Sequence, residues 1–324
     1  MSSPHRQPSI AAAPSRPSAA EVPPDGSVDP RPTSPRGLPA DAMTPDRTGA
    51  VIIPAHDESA VIGRTLRSLA PLAAHTGIEV IVVCNGCSDD TASVAREFEH
   101  VRVEEIAEAS KTAALNAGDR IAASWPRLYL DADIEIAPES VIAVFDALEE
   151  PGLLAARPSY VYDTSGATAP VRGYYRARSR IPAPASRLWG AGGYAANEFG
   201  HRRLPEFPSV TADDSWFDAQ FDETEKRVIA TWPMRVRTPR DTEGLLAVLT
   251  RQRRGYVELG IPSSAGPRGV ALLSSVRGPR SLLDLVWYVG LTAVSRRRAE
   301  KILRTNQRAW ERDASSRAHV GAAQ

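Results

Sequence analysis

From Ala50 to Leu130 four short apolar runs alternate with three helical stretches, and this order restricts the fold more than any other feature of the chain. Ala50–Ile53 and Ile78–Val83 read as buried strands, Val101–Ile106 as a third strand and Arg127–Leu130 as a fourth. Between them, Ser59–Leu72 carries Val61, Ile62, Leu66 and Leu69 at helical spacing. Asp89 or Asp90 can cap a helix through Phe98, and Ser110 can cap another through Ala123. Strands joined by helices run parallel, because each crossover helix returns the chain to the same edge of the sheet. The expectation is therefore an α/β, Rossmann-like domain, with a mostly parallel sheet and helices on both faces.

The 324 residues suffice for one such domain with extensions. Residues 1–47 are rich in Pro, Ser, Ala and Gly and hold no aromatic residue, so they bury too little apolar surface to offset ordering entropy and read as a disordered arm. The second half is less regular. Leu153–Tyr162 reads as a strand, Val171–Arg187 as a basic amphipathic helix, and Trp189–Gly200 as a Gly-rich loop. Asp213–Phe221 starts as a helix, Val228–Val236 is extended around Pro233, and Thr242–Leu259 is helical. A Pro/Gly/Ser-rich link then leads to a final helix from Ser281 to about Trp310. The expected division is an arm (1–47), a catalytic domain (48–262), and a linker with a helical tail (263–324).

Lys plus Arg and Asp plus Glu both number 39, so no net charge draws the chain to nucleic acid. Cys84 and Cys87 are the only cysteines, which argues against a disulfide-stapled secreted domain and for a reducing, cytoplasmic setting. No stretch reaches the ~18–20 apolar residues of a membrane span, and prolines interrupt the N-terminus where a signal peptide would need an apolar core.

Open parallel sheets bind ligands beyond the carboxyl ends of their strands. Three polar clusters fall there: Pro54-Ala55-His56-Asp57-Glu58, Asn85-Gly86-Cys87-Ser88-Asp89-Asp90, and Asp131-Ala132-Asp133. The third has the sharpest chemistry. Alternation puts the two carboxylates on one side of the strand end. Beside a diphosphate they would repel it unless a divalent cation bridged them, and hard oxygen ligands suit Mg²⁺ or Mn²⁺.

The segments VIIPAHDE (51–58), VVCNGCSDDT (82–91), KTAALNAG (111–118) and LYLDADIEI (128–136) together resemble inverting family 2 glycosyltransferases of the GT-A fold. The likeness continues more weakly through GAGGYAANEFG (190–200) and VTADDSWF (210–217). It implies transfer, of hexosyltransferase type, from an NDP-sugar donor to an acceptor hydroxyl of unknown identity, with inversion and metal assistance. By the same resemblance Asp133 is the principal metal-binding carboxylate and Asp131 its partner, with Ala132 between them in the nucleotide-sugar site. Pro54, Ala55 and Glu58 line the nucleoside pocket, Asn85 reads the base, and Lys111 lies near the nucleotide. Of the acidic pair Asp213-Asp214, the second is the general base, while Asp213, Gly192 and Gly193 belong to the acceptor side.

The departures from the family pattern are specific. Asn85 stands where Asp is common, and an amide donates as well as accepts. Cys84 and Cys87 stand where Asp and Ser are usual; one Cys-x-x-Cys supplies half of a tetrahedral zinc site and reads as two loop-packing thiols. Gly255 follows Arg251, Arg253 and Arg254 where Trp is expected. His56, His75, His100 and His201 form no metal spacing and receive no role. In the tail, Leu282, Leu283, Leu285, Val286, Tyr288 and Val289 form an apolar stripe that either packs on the catalytic domain or, through 281–298, meets the inner face of an anionic membrane. Two rivals remain. A sugar nucleotidyltransferase would carry a Gly-rich basic loop after the first strand, where PAHDE is acidic. An inactive GT-A scaffold would not need Asp131, Asp133 and Asp214.

Overall fold

The computed structural model describes residues 43–204, 206–261 and 265–305. Most of the arm expected at 1–47 lies outside the described residues, as does the end of the final helix beyond 305.

Strand β1 (Thr48–Ala55) lies between β2 (Gly77–Asn85) and β4 (Arg127–Leu130) and is parallel to both, and β3 (Val101–Ile106) extends the sheet beyond β2. The connecting helices are α1 (Ile62–His75), α2 (Thr91–Arg96) and α3 (Lys111–Ile121). Period-two alternation assigns the two faces of the sheet. Val51, Ile53, Val80, Val82, Leu128 and Leu130 pack against α1 and α2, together with α4 (Pro138–Ala147). Ala50, Ile52, Ile81, Val83 and Tyr129 pack on the other face with α3 residues Ala114, Leu115 and Ala117. Ser110 caps α3 as its sequence predicts, its Oγ accepting the Ala113 N–H at 3.2 Å.

Beyond β4 the sheet departs from the expectation. Within 189–200, read as a loop, Gly193–Ala196 forms β6, which runs antiparallel between β4 and β5 (Ala155–Asp163). All four residues of β6 are buried, so its sequence GYAA shows no alternation to betray a strand. The edge strand β7 (Lys226–Arg237) is parallel to β5, giving the order β3-β2-β1-β4-β6-β5-β7. The helix expected at 171–187 is α5 (Ala169–Ser179); Pro182 and Pro184 follow its end, and proline disfavours helical geometry in the residue before it. Two short helices, α6 (Glu198–His201) and α7 (Asp213–Asp218), precede and α8 (Thr242–Glu258) follows β7.

The Pro/Gly/Ser-rich link contains a helix, α9 (Ala265–Ser274), before α10 (Pro279–Thr305). Leu272, Tyr288 and Leu291 from this pair join Val171, Tyr174 and Tyr175 of α5 and Leu245 and Leu246 of α8 in a third core. A buried carboxylate secures the contact: Asp284 accepts from Arg176 Nη2 at 2.6 Å and Arg180 Nη1 at 3.1 Å. The apolar stripe of α10 therefore splits. Leu285 and Tyr288 face the core, while Leu282, Leu283, Val286 and Val289 are exposed.

Candidate active site

The carboxyl ends of β1, β2 and β4 lie on one edge of the sheet, and the three polar clusters of the sequence meet there. At the end of β1, Pro54 and Ala55 are buried. Glu58 is buried too; its carbonyl accepts from Val61 and Ile62 at the start of α1, and its N–H donates to Thr91 Oγ1 at 2.7 Å. Asn85 closes β2 and is buried, followed by Gly86 at φ 59, where a Cβ would meet Ala109 at 2.8 Å. The third cluster is tied to α1 by Thr65 Oγ1, which donates to the Ala132 carbonyl at 2.7 Å.

Asp131, at the end of β4, meets the second half of the chain. Its N–H donates to the Gly192 carbonyl at 2.8 Å, and Lys111 Nζ lies 2.7 Å from its Oδ1. The same ammonium lies 2.9 Å from Asp213 Oδ2, which also accepts from the Tyr194 hydroxyl at 2.7 Å. Burial alone would lower the Lys111 pKa, but Asp131 and Asp213 outweigh it and push the pKa well up, so this lysine stays charged.

Asp214 is held differently. Its Oδ2 accepts the Gly190 N–H at 2.6 Å, and its Oδ1 accepts the Ser215 N–H at 2.7 Å. Burial, followed by repulsion from Asp213, raises its pKa to about 6, against the opposing pull of Lys111 and the Gly190 N–H. Burial and then Asp213 also drive the Tyr194 phenol up, so Tyr194 remains a hydrogen-bond donor.

Two glycines make room for this meeting. Gly192 has φ 74, and a Cβ there would lie 2.9 Å from Ile134 and 3.0 Å from Asp131 Oδ2; at Gly193 a Cβ would lie 2.9 Å from Met234 Sδ. Gly255, where the pattern led one to expect Trp, serves packing: a Cβ would meet Ala212 Cβ at 2.8 Å, so its absence lets α8 approach the start of α7. Arg251, Arg253 and Arg254 lie half-buried along α8.

Lys111, Asp131, Gly192, Gly193, Asp213 and Asp214 thus converge, while Pro54, Ala55, Glu58 and Asn85 occupy the neighbouring strand ends. The sequence reading did not single out Tyr194 or the Gly190 N–H. Tyr194 lies inside a quoted motif, but only the β6 pairing aims it at Asp213.

The residues present fit a divalent cation on a diphosphate. Asp131 and Asp133 are half-exposed carboxylates one residue apart. Among the described residues the only three-member group with mutually close metal-ligand atoms is His56, Asp57 and Cys87, so an ion at Asp131 and Asp133 would complete its shell with phosphate oxygens and water, as Mg²⁺ commonly does.

A seven-stranded, mostly parallel sheet with this acidic strand end is the GT-A architecture. Residues 50–195 match the model of glycosyl transferase family 2. No curated protein matches the chain. Among solved structures it is similar to a mannosyltransferase from Pyrobaculum calidifontis in complex with GDP-Man and Mn²⁺, at 21% identity, covering 85% of this chain and 83% of that one, with a TM-score of 0.52. It is also similar to M. tuberculosis glucosyl-3-phosphoglycerate synthase at 23% identity, covering 68% and 83% of the two chains with a TM-score of 0.46. S. aureus TarS 1–349 matches at 14% identity, with coverage of 81% and 92% and a TM-score of 0.46.

Proposed function

We propose that this glycosyltransferase moves a hexosyl group from a nucleoside diphosphate sugar to an acceptor hydroxyl, inverting the anomeric carbon, with Asp214 as general base. The observation that carries the reading is the Lys111 ammonium spanning Asp131 and Asp213. It joins a half-exposed acidic strand end suited to a metal-bound diphosphate to an acidic pair, Asp213 buried and Asp214 half-buried, suited to proton transfer. The Pyrobaculum enzyme shares the fold and binds GDP-Man with Mn²⁺, which supports carrying a nucleotide sugar and Mg²⁺ or Mn²⁺ to this chain.

Asp131 and Asp133 would hold that ion. When bound, it neutralises charge on the leaving diphosphate. Pro54, Ala55, Glu58 and Asn85 enclose the nucleoside, and Ala132 continues that wall toward the sugar. Lys111 balances Asp131 and Asp213 as the donor's charge arrives. Gly192 and Gly193 let the acceptor approach the backbone beside Asp214. With its pKa near 6, Asp214 is ionised at neutral pH yet basic enough to take a hydroxyl proton as the oxygen attacks. Its two backbone hydrogen bonds fix the carboxylate for that transfer, and Asp213, held by Tyr194 and Lys111, orients the pair. The catalytic domain is residues 48–262 and the tail is 263–324, of which α10 packs on α5 and α8.

The direct test incubates purified protein with NDP-sugars and Mn²⁺ and identifies the released product. A transferase, through transfer or slow hydrolysis, liberates nucleoside diphosphate. Pyrophosphate formation from a sugar phosphate and a nucleoside triphosphate would instead show a nucleotidyltransferase, and no turnover with any donor would favour a scaffold.

A second reading concerns the tail. Exposed Leu282, Leu283, Val286 and Val289 lie on α10 between exposed Arg280 and Arg297, a pattern suited to the surface of an anionic bilayer. No helix among the described residues is long and apolar enough to cross a membrane. Co-sedimentation with anionic vesicles, lost in Val286→Glu, tests this contact.

A further inference from the structure

His56, Asp57 and Cys87 come together where the loop after β1 meets the loop after β2. One candidate ligand atom from each lies within 4.8 Å of the other two, and all three residues are half-buried. Sequence spacing hides the group. Parallel pairing, with Ala55 opposite Cys84, builds it by carrying both loops to the same edge of the sheet.

Each side chain is oriented from behind. His56 Nδ1 lies 2.5 Å from the Asn85 carbonyl, an acceptor, so Nδ1 carries the ring proton and the lone pair resides on Nε2. Metal-binding histidines are commonly fixed by such a bond to a backbone carbonyl. Nε2 lies 3.9 Å from Asp57 Oδ2. Asp57 has φ 50, a left-handed conformation uncommon for a residue with a side chain. Its Oδ1 accepts the Ser88 N–H at 2.7 Å and the Ser88 hydroxyl at 3.2 Å, which turns Oδ2 toward His56. Cys87 Sγ stands 3.4 Å from the Ala55 carbonyl, inside the same cleft.

We propose that His56, Asp57 and Cys87 form a binding site for a thiophilic divalent cation, with Zn²⁺ the best match. One imidazole, one carboxylate and one thiolate are all zinc ligands, with bonds of about 2.0–2.3 Å and a fourth position left for water or an external ligand. A tetrahedron with those bonds sets ligand atoms about 3.3–3.8 Å apart, so the group needs to contract by at most about 1.5 Å on binding. Binding releases the Cys87 thiol proton. The site differs in chemistry from the Asp131–Asp133 pair, whose oxygen-only donors select hard ions. An ion here ties the two loops together beside Asn85. This inference does not depend on the proposed transfer reaction.

Co²⁺ is the probe, because its absorption reports both tetrahedral geometry and thiolate ligation. Reduced, metal-stripped, tag-free protein titrated with Co²⁺ is expected to bind one equivalent with a thiolate-to-metal band, and Zn²⁺ should bleach that band. Cys87→Ser should abolish the band, and Cys87→Ser and His56→Gln should each weaken Zn²⁺ binding by more than about 100-fold, beyond the usual loss from a supporting group. Asp133→Ala and Cys84→Ser should retain the band. A wild-type titration without a thiolate band overturns the proposal, as does a band that survives Cys87→Ser. Should Cys87→Ser fail to fold, alkylation of wild-type Cys87 decides: protection by Zn²⁺ supports the site, and unchanged labelling overturns it.

Discussion

Two acidic centres in this molecule are built from the same side chain and behave oppositely. Asp214, at the start of α7, sits beside Asp213, and its pKa rises to about 6 through burial and then that like charge. Asp284, on α10, is more deeply buried, but Arg176 and Arg180 outweigh the burial and hold its pKa below the usual carboxylate range. Burial thus does not decide what a carboxylate is for; the sign of its neighbour does. An acid beside an acid keeps affinity for a proton and can exchange one. An acid between two arginines has none to exchange, and its contribution is to fasten α10 to α5.

The contrast predicts that each centre fails in a different assay. The largest effect is expected from Asp214→Asn, which keeps the shape but cannot accept a proton. Transfer should fall roughly 10²- to 10⁴-fold while donor affinity by calorimetry holds. Asp213→Asn removes a charge from nearly the same place and should cost less. Equal losses, or a larger one in Asp213→Asn, would move the base elsewhere.

Asp133→Ala should abolish the Mn²⁺-dependent part of UDP or GDP binding and leave the melting temperature near that of the wild type, because this half-exposed carboxylate leaves no hole in the core. Unchanged nucleotide affinity with and without Mn²⁺ in this variant would sink its assignment as a metal ligand.

Asp284→Ala should lower stability by about 2 kcal/mol in denaturant unfolding, below the ~3–5 kcal/mol typical of a broken buried ion pair because both arginines are partly exposed. Activity per folded molecule should change little. A stability near that of the wild type would mean that the third core holds α10 without the ion pair.

The smallest effects are those of pH, and their signs are opposite. Asp214 has a raised folded pKa, so its stabilising share is present below its unfolded value and is lost as pH rises toward 6. Asp284 has a lowered one, so its share is present above the unfolded value and is lost as pH falls through the folded value. Asp214→Asn should therefore stabilise the fold by roughly 1 kcal/mol at about pH 8 and by less at about pH 5, read as melting temperature. Asp284→Asn should be most harmful near neutrality. In the same titration wild-type kcat/KM should rise with pH to a plateau above about 6, and Asp214→Asn should lose that limb.

Much of the β1–β4 half was legible in the sequence. β1, β2 and β4 are buried parallel strands, and their Val, Ile and Leu residues report that burial locally. Ser110 caps α3, and Asp131-Ala132-Asp133 begins at the residue after β4. In the second half, resemblance pointed to the pair Asp213-Asp214 but not to its surroundings. Nothing local in GYAA announces a strand; β6 exists because β4 and β5 leave a slot that four small or aromatic residues fill. That insertion aims Tyr194 at Asp213 and brings the Gly190–Gly193 turn against Asp131 and Asp214. Likewise the tail's apolar stripe was visible, but its division into a face packed on α5 and an exposed face depended on where Asp284 found its arginines. The sequence alone determined the strand–helix order and the acidic strand end, because period and composition are local records of burial. Tertiary structure alone decided that Asp213 meets Lys111 and that Asp284 meets Arg176, because each of these contacts joins residues about a hundred positions apart and no local pattern encodes them.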